Sequence, residues 1–199
     1  MCYIKYGDYM MQTKLYRNLY ELIHPSISRK NITEYSIVLS DNILPIKVFY
    51  PKIGVELNRV ILYLPDKKQN NEFYKKMAEE LNSVIFLLET EDNDILCIKT
   101  IEYIKQELNN YSITDNFSVV VEKHYCDVIN SMSLKLPKIV YLNPTNKLKI
   151  NYQSIIMTNN EEMDGDNIFH YNGEFSHIMN EDSLAMREKI FSTIKNFIN

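Results

Sequence analysis

Glycine is scarce in this sequence, which contains only four glycines among 199 residues. Globular proteins have about 7% glycine, and a loop that wraps a phosphate group needs several, because a backbone without Cβ can approach the ligand closely. Neither a G-x-G-x-x-G pattern nor a Walker A pattern can be assembled from so few. The scarcity therefore excludes the glycine-dependent phosphate loops of nucleotide-binding proteins.

Cysteine is also scarce, and its spacing forms no pairs. The three cysteines, Cys2, Cys97 and Cys126, are an odd number without a C-x-x-C pattern. This argues against a disulfide framework and against a structural zinc site. The simplest compartment for such a chain is a reducing cytoplasm.

An excess of positive charge and a long apolar run are absent as well. Lys and Arg number 22 against 26 Asp and Glu, a net charge of −4 without a basic stripe, so no nucleic-acid partner is indicated. No apolar run reaches the roughly 20 residues that a membrane span needs. Residues 1–8 lack the basic start and apolar core of a signal peptide. We therefore expect a soluble, unexported, cytoplasmic protein.

The hydrophobic residues that are present, 45% of the chain, suffice for the core of one domain over residues 1–199. Residues 12–23 have apolar side chains at helical spacing, and Pro25 ends this predicted helix, so residues 1–25 read as an N-terminal helical extension. Residues 33–39 and 46–50 alternate in polarity around a Ser-Asp-Asn turn. They predict an antiparallel hairpin at a sheet edge.

Continuous apolar runs alternate with amphipathic segments from Arg59 onward. Such runs are typical of strands buried on both faces. Their alternation with helices predicts an α/β fold with a mostly parallel sheet of about eight strands and helices on both faces. The predicted strands after the hairpin are residues 60–64, 84–88, 117–121, 138–142, 154–158 and 167–171. The predicted helices are residues 71–81, 95–108, 127–132 and 182–198, the last with Asp182 as N-cap.

Several of these segments share their order and spacing with a known family of enzymes. The segments are residues 46–51, 59–64, 117–121, 138–144 and 171–177. Their order resembles the α/β-hydrolase fold, particularly the esterases and lipases related to hormone-sensitive lipase. The resemblance covers residues 34–199 and implies a three-layer sandwich, here without a cap domain because the connections are short.

The resemblance also implies catalytic residues. It places His177 at the position of the catalytic base and Glu161, Glu162 or Asp164 at the position of the acid that orients the base. A carboxylate beside a histidine fixes the tautomer and stabilises the imidazolium.

Two other parts of the family's machinery are replaced. The nucleophile position falls on His124, with Glu122 and Cys126 on either side, although a strained nucleophile turn favours small neighbours. Residues 65–68, Pro-Asp-Lys-Lys, stand where the family has a His-Gly-Gly oxyanion loop. An acidic residue there opposes the negative charge that an oxyanion hole stabilises.

Three hypotheses follow from this combination. The first is a catalytically degenerate hydrolase-like protein, a pseudoenzyme that serves binding or regulation. The second is an active esterase, thioesterase or acyl transferase that uses Cys126, Ser131 or Ser176 with His177. The third is an interaction module whose N-terminal tyrosines contact a protein partner or a second copy of the chain. A small acyl or ester ligand is the partner implied by the first two.

The acidic run Glu161, Glu162, Asp164 and Asp166, near His170, is the remaining cluster of ligand-type side chains. Its spacing fits no EF-hand loop. A solvated loop is the simpler interpretation, so we expect no metal and no cofactor.

Overall fold

The computed structural model describes residues 32–39, 42–51, 59–66, 70–89, 94–110, 117–132, 136, 138–149, 153–173 and 184–199. The described strands are β1 (Ile32–Leu39), β2 (Asn42–Phe49), β3 (Arg59–Leu64), β4 (Ser83–Leu88), β5 (Phe117–Glu122), β6 (Ile139–Leu142), β7 (Ser154–Thr158) and β8 (Ile168–His170). The described helices are α1 (Asn71–Leu81), α2 (Asp94–Asn110), α3 (His124–Ser131) and α4 (Leu184–Ile198). The helix predicted over residues 12–23 and the predicted N-cap Asp182 lie outside the described residues.

The strands form one eight-stranded sheet in the order β1-β2-β4-β3-β5-β6-β7-β8. β3 to β8 run parallel, and β2 is antiparallel to both of its neighbours, β1 and β4. The hairpin of β1 and β2 therefore lies at one edge of the sheet. The predicted edge hairpin and mostly parallel sheet are confirmed.

Helices cover both faces of the sheet. On one face, Ile101 of α2 and Ile129 of α3 pack with Leu62 and Val119 in an apolar cluster. On the other face, Met77 of α1 and Ile194 of α4 pack with residues such as Ile61. Every residue of β4, β5 and β7 is buried. The continuous apolar runs therefore mark strands buried on both faces, as the sequence predicts.

Local signals account for the helix boundaries. The Asn70 side chain caps α1, since its Oδ1 accepts a hydrogen bond from the Phe73 amide at 2.9 Å. Asn82 ends the helix in the left-handed region at φ 49°. α3 begins at His124, three residues before the helix predicted over residues 127–132. The sequence prediction missed this first turn because it assigned residues 122–126 to the turn between the strand and the helix.

Within the described residues, no helix is both long and apolar enough to cross a membrane.

Candidate functional site

The carboxyl ends of β3 and β5 define the centre of the candidate site. β3 lies between β4 and β5, so the chain proceeds from β3 to one side and later returns to the other. In open α/β sheets, ligands bind in the crevice at such a switch point. Tyr63 and Asp66 lie at the end of β3, and Glu122, Lys123 and His124 lie at the end of β5. We call these five residues the switch-point cluster.

Lys123 forms a strained turn between β5 and α3. Its backbone has φ 43° and ψ −113°, a conformation that L-residues rarely adopt and that costs about 1 to 3 kcal/mol. Its amide donates a hydrogen bond to the Leu142 carbonyl at 2.9 Å, and its carbonyl accepts one from the Cys126 amide at 3.0 Å. A buried strand, a strained residue and a helix that starts at once are the geometry of a nucleophile elbow.

The sequence prediction placed this elbow one residue too late. His124 was assigned the nucleophile position, but it is the first residue of α3, and the strained residue is Lys123. The physical reason is that β5 extends to Glu122, which pairs with Leu142 of β6. A charged residue at that position looked like the start of a loop. The correction puts Val121 and Tyr125 two residues to either side of the apex.

Asp66 pairs with both basic side chains of the cluster. The Lys123 Nζ lies 3.0 Å from one carboxylate oxygen, and the His124 Nδ1 lies 3.6 Å from the other. The Asp66 side chain is 18% exposed, whereas Lys123 and His124 are 47% and 40% exposed. The carboxylate is therefore partly withdrawn from water, and the two basic groups are more exposed than the carboxylate.

A buried carboxyl group supports Asp66 from below. Glu122 accepts a hydrogen bond from the Tyr63 hydroxyl on Oε1 and one from the Asp66 amide on Oε2, the latter at 3.1 Å. Burial raises the pKa of Glu122, while the Tyr63 hydroxyl and the Asp66 amide oppose this rise. Burial, and then the charge of Glu122, raise the pKa of Tyr63. The pair thus links the ends of β3 and β5 and fixes the backbone at Asp66.

Asparagines connect the neighbouring strand ends. Asn143, in the left-handed region at φ 50°, accepts a hydrogen bond from the Asn159 amide on its side-chain oxygen at 3.2 Å. The Asn159 side chain donates to the Gly173 carbonyl at 3.0 Å. Burial raises the pKa of the adjacent Tyr171, and the charge of Glu122 raises it further, whereas a hydrogen bond with Asn143 lowers it. The ends of β6, β7 and β8 are therefore tied into the same region.

Sequence reasoning missed Lys123 and Tyr63 as members of the switch-point cluster, and it missed Tyr171 and Asn143 at the neighbouring strand ends. Their signal was their place at the end of a predicted strand, since the ends of parallel strands meet at one edge of the sheet. The contact between Tyr63 and Glu122 spans 59 residues, and nothing in the local sequence indicates it.

Cys126 is placed as a small core residue. It is fully buried, and its Sγ lies 3.4 Å from the Val121 carbonyl oxygen and 3.7 Å from that of Leu142. Burial raises the pKa of the thiol far above its ordinary value. Since the thiolate is the reactive form, this environment does not support a nucleophilic role.

Ser131 is the other predicted nucleophile that lies among the described residues. Ser131 is the last residue of α3, and its hydroxyl donates to the Val128 carbonyl at 2.8 Å. Ser176 and His177 lie outside the described residues. Residues 1–31, which include most of the N-terminal tyrosines, also lie outside them.

The three predicted orienting acids lie in the connection between β7 and β8. Glu161, Glu162 and Asp164 are all exposed there. The Glu162 amide donates to the Asn160 side chain at 3.0 Å, and Asp164 accepts from the Gly165 amide at 2.9 Å. No three His, Cys, Asp or Glu side chains of the described residues are close enough together to hold a metal ion.

The strand order, the single reversed strand β2 and the strained turn after β5 define the class of protein: its fold is α/β-hydrolase-like. Comparisons with protein-family models and with curated proteins gave no match.

Solved structures with a similar fold include an arylesterase, with 15% identity, a TM-score of 0.48, and coverage of 70% of this chain and 53% of the other. The thermophilic carboxylesterase EstE1 from a metagenomic library has 12% identity and a TM-score of 0.44, with coverage of 66% and 54%. A hyperthermophilic esterase from the archaeon Pyrobaculum calidifontis has 8% identity and a TM-score of 0.46, with coverage of 68% and 52%. The matched part of this chain thus corresponds to about half the length of these structures.

Proposed function

We propose that this α/β-hydrolase-like protein lacks serine-hydrolase chemistry and that its switch-point crevice serves binding or regulation. One observation carries the proposal: the strained apex of the turn after β5 is Lys123, and its side chain pairs with Asp66 at 3.0 Å. An ammonium group held by a carboxylate keeps its proton and has no lone pair with which to attack an acyl carbon.

The surroundings of Lys123 also disfavour the stabilisation of an oxyanion, the negatively charged oxygen that forms during acyl transfer. A single donor to an oxyanion contributes about 2.7 to 4 kcal/mol to transition-state stabilisation. Here the Asp66 amide, at the end of β3, already donates to Glu122, and the Asp66 carboxylate lies beside the apex of the turn. A negative charge that develops there meets two acidic side chains.

For the remaining site residues we retain the assignment that the resemblance implies. In this proposal His177 reaches the crevice, and Glu161, Glu162 or Asp164 orients it. Without a nucleophile beside it, His177 acts as a hydrogen-bond partner rather than as a base. Lys123 and His124, both partly exposed, offer donors to the carbonyl oxygen of a small, uncharged acyl ligand.

The test is ester hydrolysis by the full chain. We expect p-nitrophenyl acetate and butyrate to be hydrolysed at the same rate by the wild type, by His177→Ala and by a control, Ser192→Ala, on the exposed side of α4. Saturable turnover that His177→Ala abolishes and Ser192→Ala preserves would overturn the proposal.

A further inference from the structure

On the side of α2 and α3, the part of the sheet formed by β7 and β8 lacks a described helix. Residues 159–167 join β7 to β8 without a helix, and so do the described residues of the connection from β6 to β7, 143–149 and 153. Parallel strands are usually joined by a crossover that contains a helix, which then covers the sheet. Two irregular connections therefore cover this part of the sheet.

A cleft of about 760 Å³ lies between these two connections. Its apolar lining is Leu148, Ile156, Met163 and Ile168, all of which belong to or pack against the apolar cluster on this face of the sheet. Sites for small molecules have volumes of about 300 to 1,000 Å³ and a mostly apolar lining with a few polar groups. The cleft matches this description in size and has an apolar floor, but seven of its twelve lining residues carry polar or charged side chains.

Backbone and side-chain hydrogen bonds hold both walls in place. On one wall, Thr145 and Asn146 donate to the Asp127 carboxylate of α3 at 3.3 and 2.8 Å. On the other, the Met163 amide donates to the Asn160 carbonyl at 3.3 Å, and the Ile156 amide to that of Asn167 at 2.9 Å. A cleft that is already formed before binding does not require ordering of its walls when a ligand enters.

The charged residues of the lining determine the class of ligand. Glu162, Asp164 and Asp166 contribute three carboxylates, and Lys147 contributes one ammonium group, so the lining has a net charge of −2 at neutral pH. All four side chains belong to exposed residues, whereas Ile156 and Leu148 are buried. The cleft therefore combines an apolar floor with an acidic mouth.

We propose that this cleft binds a small organic cation, an amine whose apolar body contacts the floor and whose ammonium group pairs with the carboxylates at the mouth. None of the five residues of the switch-point cluster lines the cleft, although Glu162 and Asp164 are also among the acids proposed to orient His177. Amine binding is measured without ester hydrolysis, so the failure of one proposal is distinguishable from the failure of the other. A metal ion is a different occupant, and the described carboxylates do not converge closely enough to hold one.

The experiment is a titration of the full chain with octylammonium, 1-octanol and octanoate, followed by saturation-transfer NMR. These probes share one alkyl chain and differ in charge. We expect saturable binding of octylammonium, weaker binding of octanol and the weakest binding of octanoate. Absence of saturable octylammonium binding, or equal binding of octanoate, would overturn the proposal.

Substitutions in the cleft lining test whether octylammonium binds in the cleft. Glu162→Gln, Asp164→Asn and Asp166→Asn combined should weaken octylammonium binding about tenfold, because each exposed charge contributes modestly. Lys147→Gln should strengthen it, a gain that damage to the fold does not produce. The matched control is Glu188→Gln, which removes an exposed carboxylate on α4 outside the cleft lining and should leave binding unchanged. Equal affinity in the triple variant and the wild type would contradict the proposal.

Discussion

The strained turn at Lys123 predicts an unusual response to glycine. Lys123→Ala and Lys123→Gly both remove the ion pair with Asp66, so the two variants differ only in the backbone. Alanine retains a strain of about 1 to 3 kcal/mol, whereas glycine adopts a positive φ readily. The greater freedom of glycine in the unfolded chain offsets about 0.5 to 1 kcal/mol of that gain. We therefore expect Lys123→Gly to be more stable than Lys123→Ala by about 1 kcal/mol.

A second lysine provides the matched control. Lys76 is exposed in the interior of α1, where glycine is about 1 kcal/mol less favourable than alanine. The sign of the difference should therefore reverse between the two positions, a contrast of about 2 kcal/mol. Urea denaturation followed by circular dichroism measures all four free energies of unfolding. If Lys123→Gly is no more stable than Lys123→Ala, the turn is not strained and its interpretation as an elbow is refuted.

Three further expectations concern buried groups. Tyr63→Phe removes a hydrogen bond to the buried carboxyl group of Glu122 and should lower the free energy of unfolding by about 1 to 3 kcal/mol. The control is Tyr141→Phe, which should lower it by less because the Tyr141 hydroxyl makes no hydrogen bond within the described residues. Equal losses would contradict the role of the pair Tyr63 and Glu122. Because folding raises the pKa of Glu122, the wild type should lose stability as the pH rises through that raised pKa, whereas Glu122→Gln should lack this loss. Parallel profiles of stability against pH for the two proteins would contradict the raised pKa of Glu122. Burial raises the pKa of Cys97 to about 12 and that of Cys126 further, so iodoacetamide at pH 8 should alkylate both only in denaturant, as peptide mapping reports; rapid alkylation of the native protein would refute their burial.

The sequence predicted the sheet well because burial on both faces leaves a simple pattern. Residues 60–64 and 84–88 are uninterrupted apolar runs, and they lie in β3 and β4 at the centre of the sheet. The helix over residues 71–81 was predicted with both of its boundaries, since its apolar spacing is a local property.

The candidate site was less predictable because it depends on long-range contacts. Glu122 is a charged residue that ends a buried strand, and only its contacts with Tyr63 and Asp66 explain its burial. Because the local sequence does not indicate those contacts, the apex of the turn was predicted one residue too late, at His124. The acidic run after β7 was correctly interpreted as exposed, but the cleft beside it depends on how two loops cover the sheet. No local sequence pattern predicts such a cleft.

Labelling with active-site probes tests the central claim most directly, that no nucleophile remains in this hydrolase-like fold. The purified full chain is incubated with a fluorophosphonate and with a thiol-directed electrophile, and is then examined by intact mass and peptide mapping. We expect no fluorophosphonate adduct and no modification of Cys126. A single stoichiometric adduct on a serine or on Cys126 that is lost in His177→Ala would contradict the claim and would establish a working nucleophile and base.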